Sequence, residues 1–116
     1  MELKLRKHGE VFVIDIIGEL DLYNADKLRT AVGRLTEKQV RRLIINLEKV
    51  GYIDSSGIGT LINCYSTARR DNWAFYLASV RGPVRKVMEL TRLLGFFPLA
   101  DSVEEAVLAL SRSEVR

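Results

Sequence analysis

Short apolar runs alternate along this chain with segments in which apolar residues recur every three or four positions. The runs predict β-strands and the periodic segments predict α-helices, because side chains repeat every two residues in a strand and every 3.6 in a helix. The predicted strands are Glu2 to Arg6, Val11 to Ile17, Leu43 to Leu47, Trp73 to Ser79 and Phe96 to Leu99. Val11 to Ile17 is apolar almost throughout, which predicts a central strand.

The first predicted helix follows the second strand. Its apolar stripe consists of Ala25, Leu28, Val32 and Leu35. These positions fall on one face of a helix, and Asn24 is the expected N-cap because its side chain can accept a hydrogen bond from a free N–H group.

Three further helices are predicted. One begins near Ser55. The next begins at Gly82, which is followed by a proline, and ends at Gly95. The last follows the capping box that starts at Ser102. The chain is expected to fray from Ser111 onward.

The order of these elements indicates the fold class. Two strands and a helix are followed by strand–helix pairs, and such alternation implies right-handed crossovers onto a mostly parallel sheet. No linker, repeat or low-complexity tract interrupts the pattern. Residues 1–116 are therefore predicted to form a single α/β domain, with one small mixed, mostly parallel sheet and about four helices.

Composition narrows the function class. Apolar residues make up 47% and charged residues 28%, which is typical of a soluble globular protein, and no apolar run approaches a membrane span. The first ten residues lack the apolar core of a secretory signal, so a cytoplasmic protein is expected. A net charge of +3, with basic residues in small separated groups, argues against direct nucleic-acid binding.

The segment GYIDSSGIGT, residues 51 to 60, places two glycines at a predicted helix start. Glycine within a helix costs about 0.5–1 kcal/mol relative to alanine, so each glycine needs an offsetting role. One role is close packing of the helix against the strand LIINL. The other is close approach of a second molecule to bare backbone, and the two roles are compatible.

Helical phase separates two faces of this segment. Ile58, Leu61, Ile62, Tyr65 and Ala68 fall on one side, and Ser56, Thr60, Asn63, Thr67 and Arg70 fall on the other. Extended back to the helix start, this phase turns Ser56 toward solvent and Ser55 toward the sheet.

The serines and the aspartate before them have two interpretations. Asp54, Ser55 or Ser56 can simply cap the helix. A helix N-terminus also tolerates a phosphate, so modification of Ser56 would add about −1.5 to −2 charges without requiring the helix to unfold. Asp21 and Asp54 each follow a predicted strand at the carboxyl side of the sheet, where capping and an interaction surface are both plausible roles.

Catalytic and metal sites find little support. A serine hydrolase needs a G-x-S-x-G elbow and a histidine, but Ile53 replaces the first glycine and the single histidine, His8, lies in the early turn. Ile62 replaces the third glycine of a dinucleotide fingerprint, and no phosphate-loop lysine is present. Cys64 is the single cysteine. We therefore expect no catalytic residues, no metal site and no cofactor.

Three segments together resemble a known family. They are GELD at 18 to 21, LIINLEKVGYIDSSGIGTL at 43 to 61 and the pattern V-x-x-V-M-x-L-T-x-L-L-G-F at 84 to 96. The chain resembles STAS domains (sulfate transporter and anti-sigma factor antagonist), specifically a stand-alone anti-sigma factor antagonist. The most specific element is D-S-S-G-I-G after the apolar strand.

The resemblance implies partner switching. In this family an anti-sigma factor that is itself a serine kinase phosphorylates the second serine of D-S-[ST]-G, which implies Ser56 as the phosphoacceptor. The unmodified antagonist binds the anti-sigma factor and frees the sigma factor, phosphorylation breaks that complex, and a serine phosphatase resets it. The implied partner-binding residues are Asp21, Leu22, Tyr23, Asn24, Asp54, Ser55, Ser56, Gly57, Ile58 and Gly59.

Two other functions are compatible with the same sequence. A non-enzymatic STAS accessory or scaffold subunit of a signalling or lipid-transport complex would co-purify with its partner regardless of phosphorylation. A small-nucleotide-binding α/β domain would bind a ligand saturably. The sequence leaves the oligomeric state and the cognate sigma factor open.

Overall fold

A computed structural model describes residues 1–112 of the chain. Its elements are β1 (Glu2–His8), β2 (Val11–Leu20), α1 (Ala25–Glu37), β3 (Arg42–Ile53), α2 (Ser55–Arg70), β4 (Ala74–Ala78), α3 (Gly82–Leu90), β5 (Leu99–Ala100) and α4 (Val103–Arg112). The predicted order of strands and helices is confirmed.

The strands form one sheet in the order β1-β2-β3-β4-β5. β1 and β2 are antiparallel and join through a tight turn at Gly9, whose φ of 60° suits a residue without a side chain. All other neighbours are parallel, with Ile14 opposite Ile45 and Ile45 opposite Leu77. The predicted mixed, mostly parallel sheet is therefore confirmed, and β2 is an interior strand as expected.

Helices cover both faces of the sheet. Buried residues of α1, α2 and α3 pack in one cluster with Ile45, whereas α4 packs in a second cluster with its neighbour Ile44. Adjacent residues of a strand point to opposite faces, so both sides of β3 lie in apolar surroundings. The predicted inward stripe of α1 is buried at all four positions.

The third helix and the last strand differ from prediction. α3 ends at Leu90, short of Gly95, because Arg92 adopts a left-handed φ of 60° and the Leu93 N–H closes onto the Met88 carbonyl at 2.8 Å. β5 is Leu99–Ala100 instead of Phe96 to Leu99, since the Phe96 and Phe97 rings turn into a cluster with Tyr65. α4 includes Ser111, which was expected to fray, and residues 113–116 lie outside the described part.

Gly57 lies where the first turn of α2 meets the ends of β2 and β3. A Cβ atom at this position would overlap the carbonyl oxygen of Leu20 and lie 2.7 Å from Cγ1 of Ile53. At Gly59, in contrast, an added Cβ would meet nothing within 4 Å. Packing therefore requires the first glycine and not the second.

This contrast predicts opposite effects of two alanine substitutions. Gly57→Ala should lower the free energy of unfolding by about 1–3 kcal/mol, because backbone has to move away from the new methyl group. Gly59→Ala is the matched control and should raise it by roughly 0.5–1 kcal/mol through helix propensity. Urea unfolding of both variants measures the difference, and equal effects would contradict the packing argument.

A polar network joins β1, β2 and β3 on the α4 face of the sheet. Arg6 donates two hydrogen bonds to the carboxylate of Asp15, at 2.6 and 3.0 Å, and Asn46 donates a third at 2.8 Å. The hydrogen bonds from Arg6, and then that from Asn46, hold the pKa of Asp15 below its usual range against the opposing effect of burial. The pair thus ties the edge strand to the sheet.

The lowered pKa of Asp15 makes stability depend on pH in acid. A carboxyl group whose pKa is lower in the folded state stabilises the fold fully above its unfolded pKa of about 3.9, and loses that contribution as pH falls through its folded pKa. In the Asp15→Asn variant, the free energy of unfolding should therefore fall less steeply than in the wild type as pH drops below about 4. Urea midpoints measured from neutral pH into acid test this. The control is Asp101→Asn, because Ser79 and Arg81 donate their hydrogen bonds to the main-chain carbonyl of Asp101, which the substitution keeps.

Candidate functional site

Two loops meet at the carboxyl edge of the sheet. Leu20, the last residue of β2, lies opposite Ile53, the last residue of β3, so the residues that follow both strands emerge side by side. The loop after β2 begins at Asp21, and Asp54 begins the turn into α2. The structure thus brings together the two aspartates that the sequence placed on one edge.

Asp54 links these two loops through a single carboxylate. Its Oδ1 atom accepts a hydrogen bond from the N–H of Gly57 at 2.9 Å, which caps α2. Its Oδ2 atom accepts one from the N–H of Leu22 at 3.1 Å, which fixes the loop after β2. The main-chain N–H of Asp54 also donates to Leu20 at 3.3 Å. The helix start and the loop are therefore held in one arrangement.

The loop from Asp21 to Asn24 is a hydrogen-bonded turn. Asp21 accepts from the N–H of Tyr23 at 3.0 Å through its side chain, and its own N–H donates to the side chain of Asn24 at 2.8 Å. Asn24 occupies the N-cap position of α1, but its side chain bonds to this turn and to no helical N–H group. The turn leaves Leu22 67% and Tyr23 92% exposed.

The two serines lie in the first turn of α2 with free hydroxyls. Neither hydroxyl forms a hydrogen bond with any of residues 1–112, because Asp54 already provides the cap. Of the candidates for capping, Asp54 alone fills that role. Both serines are therefore available to a partner without loss of a structural hydrogen bond.

The predicted orientation of the serines is wrong. Ser55 is exposed and Ser56 is half-buried, and Thr60, assigned to the outer face, is only 1% exposed. The reason is that α2 packs against α1 as well as the sheet, which rotates its buried arc toward Thr60. Ser56 lies one turn before Thr60, on this α1-facing flank.

A cation missed in the sequence lies on the same flank. Arg29 of α1 donates to the hydroxyl of Thr60 at 3.3 Å and pairs with Asp26 in its own helix. Arg29 thus brings a positive charge within about one helical turn of Ser56. No sequence signal marked it, because Arg29 lies outside the apolar stripe of α1 and belongs to no motif.

We use the name docking surface for the candidate binding residues that are not buried and whose side chains form no hydrogen bond in these loops, namely Leu22, Tyr23, Ser55, Ser56 and Gly59. Gly59 is exposed, one turn after Ser56. Gly57 and Ile58, also predicted as partner-binding residues, are buried and support this surface from below. Tyr52 is half-exposed at the end of β3, two residues before Asp54, and no motif in the sequence marks it as a site residue.

Other candidate chemistry in the described residues is limited. Residues 1–112 contain no group of three or more His, Cys, Asp or Glu side chains that could hold a metal ion. Cys64 is buried in the core, and burial raises the pKa of its thiol to about 12, so the thiol is protonated at neutral pH. Within the same range, no helix combines the length and apolar character needed to cross a membrane.

Known proteins with similar sequences and folds carry related names. The anti-sigma F factor antagonist of Paenibacillus polymyxa is 22% identical over 111 residues, covering 95% of each chain. The crystal structure of an anti-sigma factor antagonist from Mycobacterium paratuberculosis is 28% identical with a TM-score of 0.82, covering 93% of this chain and 92% of that one. The anti-sigma factor antagonist SpoIIAA in its unphosphorylated form shares the fold at 23% identity and a TM-score of 0.72, covering 96% and 98%.

A family model supports the same relationship along nearly the whole chain. The model that describes the STAS domain matches residues 2–106, which include every strand, the docking surface and the first turn of α4. This chain belongs to the STAS-domain family.

Proposed function

We propose that this protein is an anti-sigma factor antagonist that acts by partner switching. Its unphosphorylated form binds an anti-sigma factor kinase and thereby releases a sigma factor, and phosphorylation of Ser56 breaks that complex. The observation that carries the proposal is the arrangement around Asp54. This carboxylate caps α2 and positions Leu22, which leaves the Ser56 hydroxyl unbonded beside an exposed apolar turn. The names of the relatives agree with it.

The apolar turn supports the binding step. Leu22 and Tyr23 are exposed although both are large apolar side chains, and tyrosine is enriched among residues that dominate binding energy. Hydrogen bonds from Leu22 to Asp54 and from Tyr23 to Asp21 fix the backbone of both. A partner therefore loses little affinity to ordering of this turn.

The electrostatics of α2 support the switching step. Phosphorylation of Ser56 would add about −1.5 to −2 charges two residues from the Asp54 carboxylate. The helix N-terminus tolerates this charge, so the fold persists. At an interface, however, the phosphate would have to lose water next to a carboxylate of like charge. Weakening a complex 100- to 1,000-fold requires about 2.7–4 kcal/mol, which is within reach of that cost.

Access to Ser56 is consistent with modification by a kinase. Ser56 is half-buried on the α1 flank, but Gly59, one turn further along α2, presents bare backbone to solvent. Packing does not require a glycine there. Its missing side chain leaves clearance for an active site to reach the serine hydroxyl, which extends the earlier interpretation of the second glycine.

The remaining parts of the cycle follow from this assignment. The kinase supplies the catalysis, so the antagonist needs no catalytic residue of its own, and a serine phosphatase restores the unmodified form. We place the protein in the cytoplasm, where sigma factors act. The same proposal treats residues 1–116 as a single domain.

Ser56→Ala should abolish phosphorylation by the anti-sigma factor kinase that binds this protein. The reason is that Ser56 provides the acceptor hydroxyl, and its removal breaks no hydrogen bond in the fold. Mass spectrometry after incubation with kinase and ATP measures the stoichiometry. The matched control, Ser55→Ala, should be phosphorylated as the wild type is, and both variants should unfold within about 0.5 kcal/mol of it.

Full phosphorylation of Ser56→Ala would reject Ser56 as the acceptor. A complex that is equally stable with phosphorylated and unmodified protein would instead favour the scaffold function.

Two substitutions, Tyr23→Ala and Leu22→Ala, should each weaken the complex between the unphosphorylated protein and its kinase by on the order of tenfold or more. Both side chains project into solvent from a turn held by backbone hydrogen bonds, so stability should stay unchanged. Isothermal calorimetry with the kinase measures the loss. Leu90→Ala is the matched control, because Leu90 is an exposed apolar residue on α3, and a similar loss there would argue against the docking surface.

A further inference from the structure

An apolar groove runs between β1 and α1, on the side of α1 that faces the edge of the sheet. It encloses about 610 Å³. Its apolar lining includes Leu3 and Leu5 of β1, together with Ile14 and Leu35. Leu5 is 53% exposed although its neighbours in the groove are buried or partly buried.

The groove exists because α1 does not extend over the edge strand. Among the strands that the structure describes, β1 pairs with β2 on one side and with none on the other. α1 packs its stripe into the core and lies against α2 through Arg29, which leaves the outer half of β1 uncovered. The first turn of α2 therefore lies on the Arg29 side of α1, and the groove lies on the Lys27 and Arg34 side.

Three cations follow one another along the α1 wall. Lys27 and Arg34 of α1 line the groove together with Lys38, which directly follows the helix, and the three span about 16 Å. None of them pairs with a carboxylate among residues 1–112. Asp26 also lines the groove, but its carboxylate is paired with Arg29.

Charge decides which occupant fits. A second copy of this chain is disfavoured, because β1 carries Lys4 and Lys7, besides the Arg6 that is paired with Asp15, against one carboxylate, Glu2. Pairing two such strands brings like charges together. A fatty acid has one carboxylate and neutralises one of three cations. We propose that the groove binds an acidic, amphipathic segment of a protein partner, with its apolar side chains on Leu3 and Leu5 and its carboxylates along Lys27, Arg34 and Lys38.

This second interface is independent of the partner-switching proposal. It uses neither Ser56 nor the turn at Leu22, so a bound acidic segment leaves the docking surface open. The protein can then contact two partners at once, one at the docking surface and one in the groove.

The test uses a synthetic amphipathic peptide of about 15 residues, built from leucine, alanine and glutamate with leucine at helical spacing. Titration into the ¹⁵N-labelled full chain should shift amide signals of β1 and α1 and leave those around Ser56 unchanged. A peptide with lysine in place of every glutamate should bind at least about tenfold more weakly. Equal binding of both peptides, or none of either, would overturn the proposal. Oleate binding in the groove while the acidic peptide fails to bind would overturn it in favour of a lipid anion.

Two double variants distinguish binding in the groove from a general effect of the protein's net charge. Lys27→Glu with Arg34→Glu should weaken binding of the acidic peptide at least about tenfold. Lys86→Glu with Arg92→Glu makes the same change in net charge at exposed positions around the end of α3, and should leave affinity within about twofold. A dispersed amide spectrum shows that each variant is folded. Equal losses in both pairs would mean nonspecific attraction and would reject the groove.

Discussion

The carboxylate of Asp54 accepts hydrogen bonds on both of its oxygens, and the geometry of the site depends on that pairing. One bond closes the first turn of α2 and the other holds the loop after β2. A serine cap would satisfy the helix but would not reach both partners, because a hydroxyl presents one oxygen where the carboxylate presents two. The parallel pairing of β2 with β3 brings these groups within reach, since both strands end at one edge.

Packing constrains the same corner as tightly as hydrogen bonding does. Gly57 lets α2 approach the ends of β2 and β3, and without that approach the Asp54 carboxylate and the Leu22 N–H would separate. The residues at the start of α2 thus have different roles. Asp54 and Gly57 maintain the structure, and neither of the two serines between them forms a side-chain hydrogen bond with the described residues. Such separation lets a modification change binding while the domain stays folded.

Sequence periodicity predicts much of the fold, because the periodic pattern of a helix reflects burial against a single neighbouring layer. The α1 stripe at Leu28, Val32 and Leu35 and the alternating order of strands and helices are of this kind. Periodicity failed for α2, where α1 and the sheet both bury residues and Thr60 is turned inward. It also missed the end of α3, because Arg92 adopts a left-handed backbone conformation without a glycine to signal it. The groove beside Leu5 depends on how far α1 extends over β1, which no local pattern records.

Burial of Cys64 has a consequence for the kinds of signal this protein can receive. Peroxides and disulfides react with thiolates, and a buried thiol with a pKa near 12 supplies almost none at neutral pH. Oxidative stress therefore does not reach the helix that carries the serines by way of its own cysteine. The proposed phosphorylation switch at Ser56 is in this way kept separate from thiol oxidation at Cys64.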